Sequence, residues 1–193
     1  MTVSITLGLS LARLLDGVAR LAVDSARVVL FRPHTLWVAT IVLIHATYWW
    51  SIWDYRDIEW NFARFVAING TPIMLFFVST LMIPRTVPVG QIDLRAHFFR
   101  IRPWLMGVAG FMVFTWIIDG SLIYRSEPAL LDLGSGLLLV GFRIGQLAGL
   151  SLLLWGLRSR SERTHSVIAW ATLLINGLNA WYRFFPDAFG GGA

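Results

Sequence analysis

Cysteine is absent from all 193 residues, which excludes disulfides, thiolate nucleophiles, Fe–S clusters and Cys-ligated zinc. Lysine is absent as well, so every one of the 16 basic side chains is an arginine, a planar fork that stays charged and hydrogen-bonded when partly buried. Charge of either sign is scarce at 14% of residues, against 56% apolar, and the mean hydropathy is +0.66. So little polar surface cannot cover a water-soluble globule, and a separate soluble domain has no room in so short a chain. The N-terminus lacks the basic region of a cleavable leader, because Met1 to Ala12 carries no charged side chain, and it is expected to be retained.

What is present instead is a series of apolar runs matched to the roughly 30 Å hydrocarbon core of a bilayer. Five spans are predicted, over residues 35–53, 65–83, 103–124, 130–157 and 166–185. All should be helical, because lipid offers no partner to free backbone groups and the runs are continuous rather than alternating. Pro33, Pro103 and Pro128 stand at or before predicted starts, where a missing N–H costs least, while Pro72 falls inside the second span as an expected kink. The fold class is therefore an all-α polytopic bundle, with residues 1–33 as an amphipathic segment, 34–186 as the membrane domain and 187–193 as a frayed tail.

Arginine counts orient the bundle. The N-terminal segment and the second and fourth connections hold eleven arginines against four acids, and that side is expected to be cytoplasmic. The other side holds Arg56, Arg64, Arg125 and Arg183 against seven acids. The ten tryptophans fit two interfacial belts, with Trp37, Trp104, Trp155 and Trp170 inside and Trp49, Trp50, Trp53, Trp60, Trp116 and Trp181 outside. The location read from this is the inner (plasma) membrane, N-terminus cytoplasmic and C-terminus outside. In residues 3–31, Arg13, Asp16, Arg20, Asp24 and Arg27 fall in a stripe about 80° wide, which describes a helix lying on the cytoplasmic interface. The alternative is a sixth span with its charges facing the bundle and the N-terminus outside.

Four constellations could carry function. Gly141, Gly145 and Gly149 form a smooth strip on the fourth span that permits close helix packing. Arg143, about 160° from that strip and with Gln146 nearby, sits near the midplane, where an ionisable group is a default site. His45 and Asn176 come to the same depth, so the three are expected to form one polar layer. On the fifth span His165, Thr172, Asn176, Asn179 and Arg183 share a stripe of about 60° that must face protein or a hydrated cavity. At the outer surface Asp54, Asp57 and Glu59, with Asp119 at a similar level, form an acidic cluster that either biases a mouth or pairs with Arg56 and Arg64.

The histidines argue against haem, since His34, His97 and His165 lie near the cytoplasmic edge and only His45 is deep. No metal, cofactor or nucleic-acid partner is expected, and no nucleophile–base pair is evident, so catalysis is not expected either. The reading is a small inner-membrane protein in contact with lipid, homo-oligomeric, that forms or gates a polar pathway for an ion or small solute. Its alternative is an accessory or assembly subunit of a larger membrane complex.

Overall fold

A computed structural model describes residues 2–55, 60–84, 90–123 and 133–184. It is all-helical: α1 (Thr2–Val23), α2 (Arg32–Ser51), α3 (Phe62–Met82), α4 (Leu94–Ile123), α5 (Leu133–Arg158) and α6 (Glu162–Phe184). Two helices, α1 and the Arg64–Met82 part of α3, are long and apolar enough to cross a membrane. Two residue pairs add a short parallel ladder, β1 (Val28–Val29) to β2 (Ile92–Asp93).

Local chemistry sets the helix ends. Pro33 occupies the first turn of α2, and Asn61 caps α3 by accepting the Arg64 N–H at 2.9 Å. Asp93 caps α4 by accepting the N–H groups of Arg95 and Ala96 at 2.8 and 3.0 Å. That cap starts α4 nine residues before Pro103, which lies inside the helix rather than at its start as the sequence suggests. The added turns are held by burial of Leu94, Phe98 and Ile101.

Pro72 lies inside α3, which continues through it. Proline has no N–H, so the carbonyl four residues back, that of Ile68, loses its helical donor. The Tyr48 hydroxyl of α2 donates to that carbonyl instead. One turn away, the Trp116 indole donates to Thr71 Oγ1 at 3.1 Å, so the weak point in α3 is braced from both neighbours.

Cross-helix contacts define the packing order. His34 with Met82 and Tyr48 with Ile68 set α2 antiparallel to α3; Arg102 with Ser159 and Arg143 with Ile117 do the same for α4 and α5. α6 packs on α2 and α5. The core, including Leu75, Met82, Phe98, Leu105, Met106 and Ile168, concentrates toward the end where α1 meets α2, α3 meets α4 and α5 meets α6.

α1 packs along α3 through Leu7, Ser10, Leu14 and Gly17. Gly17 meets Ile83 so closely that a Cβ there would stand 2.7 Å from its side chain. The charged stripe is real but points away from the bundle: Arg13, Asp16 and Arg20 are exposed, with Asp16 and Arg20 paired at 3.2 Å. A stripe facing inward, the form expected for a sixth span, is not what forms. Trp37 also departs from expectation, since it is 2% exposed and belongs to the core rather than to an interfacial belt.

Candidate functional site

His45 is held at both ring nitrogens. A backbone carbonyl can only accept, so Nδ1–H donates to Ile41 at 2.7 Å, and Nε2 of the neutral ring then accepts the Ser10 hydroxyl at 2.7 Å. The Ser10 oxygen lies 3.1 Å from the Ser79 hydroxyl, which links α1, α2 and α3 through one chain of bonds. The geometry is that of a serine beside an oriented base. Yet Ser10 is 0% and His45 1% exposed, which seals the pair from any substrate and leaves it as an interhelical tie.

Arg143 donates to the Ile117 carbonyl of α4 at 2.7 Å and to Gln146 Oε1 at 3.1 Å. Asn176 donates to the Thr172 carbonyl and Thr172 to that of Ile168, both within α6. Counted from the ends that share the core, His45, Arg143 and Asn176 each lie roughly 20 Å along their helices. Among the described residues the three side chains bond separate partners and not one another. Asn179 is half-buried. The side chains of Asp54, Asp57, Glu59, Asp119 and Arg183 lie outside what the structure describes.

The glycine strip faces no part of the described bundle, since a Cβ at Gly141, Gly145 or Gly149 would meet nothing within 4 Å. The close approach on α5 occurs instead at Gly156, where a Cβ would stand 3.0 Å from both Ile168 and Met106.

The remaining histidines gather where the chain turns between helices. The last carbonyls of an α-helix have no internal donor. His34 donates to Met82 at 2.7 Å, and His97 reaches Leu81 and Met82 at 3.0 and 3.1 Å, closing the end of α3. His165 at 3.0 Å, together with Arg102, donates to Ser159 beyond the end of α5. Burial pushes His34 down to about 4, and burial likewise lowers His97 and His165, because a charged ring is disfavoured away from water. Phe31, Phe98 and Phe99 stack among these rings, with His165 5.2 Å from Phe98 and 5.5 Å from Phe99. Among the described residues, no group of histidine and carboxylate side chains is arranged to hold a metal ion.

Arginines surround this collar. Arg27 donates twice to the Gly90 carbonyl, at 2.9 and 2.8 Å, and Arg95 pairs with Glu162 at 3.5 Å while lying 5.9 Å from the Phe99 ring centre. Sequence reasoning missed Ser10, Ser79 and Arg102. The signal for Ser10 was its spacing from Leu7, Leu14 and Gly17, which places it on the apolar face of α1. Compared with known proteins, the chain matches no family model, no curated sequence and no solved structure.

Proposed function

We propose that the chain is an inner-membrane protein that serves as a subunit of a larger membrane assembly and docks through the outward face of α5. The observation that carries this reading is the commitment of Arg143: its guanidinium bonds α4 and its own helix, so it fastens the bundle together. A glycine face that the described bundle leaves unfilled suits a part that packs against a second helix, in another copy or in a different subunit.

In this reading the end bearing the collar is cytoplasmic, since the turns there carry Arg27, Arg32, Arg95, Arg100, Arg102, Arg158, Arg160 and Arg163. α1 then forms a sixth span whose charges turn away from the bundle rather than toward it, and both termini lie outside. Its N-terminal half exposes Ile5 and Leu9, which suit lipid. Its charged half lies within about 15 Å of its cytoplasmic end, a distance long arginine side chains shorten by reaching toward headgroups.

Gentle extraction followed by intact mass of the particle tests the proposal. Wild type is expected as a stoichiometric assembly, and Gly145→Leu, which places bulk where the bundle itself leaves space, as a folded single chain. A wild-type particle of 21.8 kDa sinks the reading.

The shared depth of His45, Arg143 and Asn176 favours a second reading, a homo-oligomer with a polar pathway between copies. There the α6 stripe of Thr172, Asn176, Asn179 and Arg183 lines the route, and Asp54, Asp57, Glu59 and Asp119 bias its mouth. In proteoliposomes Arg143→Ala and Asn176→Leu should then alter solute flux without loss of assembly, and unchanged flux in both removes those roles.

A further inference from the structure

A cavity of about 530 Å³ opens beside the collar, lined by Asp93, Arg95, Phe99, Arg102, Pro103 and Arg160. Three arginines converge on it from two places in the chain, the first turns of α4 and the connection between α5 and α6. The two carboxylates nearby offset them only in part. Asp93 is engaged with the N–H groups that open α4, where the helix dipole already favours a negative charge. Glu162 faces Arg95 at 3.5 Å with both side chains more than half exposed, a surface pair easily exchanged for a better acceptor.

The other two arginines have donors to spare. Arg102 spends one terminal nitrogen on the Ser159 carbonyl, while its Nε is buried with no partner among the described residues. Arg160 is exposed and pairs with no carboxylate among the described residues. Planar guanidinium forks match phosphate oxygens in pairs. Phe99 and Pro103 give the cavity an apolar wall, and Trp104, 63% exposed, follows directly on α4 as an interfacial anchor.

We infer that this cavity binds a phosphate group, with Arg95, Arg102 and Arg160 as its donors. The phosphate has two possible sources, an acidic phospholipid headgroup at the cytoplasmic leaflet or a soluble phosphate ester. The lipid source rests on the membrane reading above; the phosphate chemistry does not.

The test uses the full chain and two charge-matched double variants. Arg95→Gln/Arg160→Gln removes two cavity arginines, and Arg158→Gln/Arg163→Gln removes two exposed arginines that do not line it. Each is reconstituted in nanodiscs of phosphatidylcholine with or without phosphatidylglycerol, and lipid retained after extraction is quantified by native mass spectrometry. In parallel, lipid-free protein in detergent is titrated with inorganic phosphate and followed by thermal shift. Selective retention of phosphatidylglycerol, weakened about tenfold or more by the cavity variant and little by the control, supports a headgroup site. A phosphate-induced shift lost only in the cavity variant supports a soluble ester. Equal effects of the two variants, or no response to either probe in wild type, overturn the inference. Particle mass, measured on the same samples, reports separately on assembly.

Discussion

The hydroxyl of Ser10 lies 2.7 Å from Nε2 of His45, and this bond joins the first helix to the second at a point sealed from solvent. With Ser79 at 3.1 Å, three helices share one small buried polar cluster. Because Ile41 fixes the tautomer, each member has a defined donor and acceptor role.

Removing one member strands the others. Ser10→Ala is expected to cost about 1–3 kcal/mol by leaving Nε2 of His45 without its donor, and His45→Leu a similar amount. Together the two should cost less than their sum, because an apolar pair leaves fewer polar groups unmet. Thermal unfolding of the detergent-solubilised single and double variants measures the coupling; strict additivity would disprove the tie.

Gly17 and Gly145 should respond oppositely to added bulk. Gly17→Ala forces a Cβ to 2.7 Å from Ile83, and the shift needed should destabilise the fold by about 1–3 kcal/mol. Gly145→Ala meets open space and should leave monomer stability unchanged within about 0.5 kcal/mol. Equal melting temperatures for the two variants would contradict the packing of α1 on α3.

Acid should loosen the collar. His34 is held neutral down to about pH 4 in the fold, against 6.5 when unfolded, so its contribution is fully present above about pH 6.5. As pH falls from 6.5 through 4, the unfolded chain takes up the proton first and that stability is lost. His97 and His165, lowered in the same direction, add to the effect. Melting curves between pH 7.5 and 4.5 should fall for wild type and flatten for His34→Gln; parallel curves would refute this origin.

Topology can be read directly because the chain has no cysteine of its own. A single Thr2→Cys substitution should react with a membrane-impermeant maleimide added to intact cells if α1 crosses the bilayer, whereas Ser25→Cys should react only after permeabilisation. Protection of Thr2→Cys in intact cells would return α1 to the interface.

Much of this was legible in the sequence, and the failures share a cause. Continuous apolar runs and prolines located all five later helices to within a few residues, except that α4 starts well before Pro103. Proline was read there as a boundary, yet the Asp93 cap and the burial of Phe98 outweigh one lost backbone bond. The position of Arg143 well inside a long helix followed from the apolar run alone. Gln146 was legible as a neighbour, but the bond across to α4 was not, because its acceptor is the backbone carbonyl of Ile117 and no side chain announces it. The acceptors of the histidines stayed hidden for the same reason: all four rings reach backbone carbonyls, which composition cannot reveal.

The ladder of Val28 with Ile92 and Val29 with Asp93, locked by Arg27 on Gly90, has a mechanical consequence. It clasps the connector between α1 and α2 to the one between α3 and α4, as a rivet joins the arms of a pair of tongs. Any splaying of these two hairpins must pivot there, so their tips travel furthest and the riveted end least. A partner seeking leverage over the protein gains most by gripping it at the opposite end of the bundle.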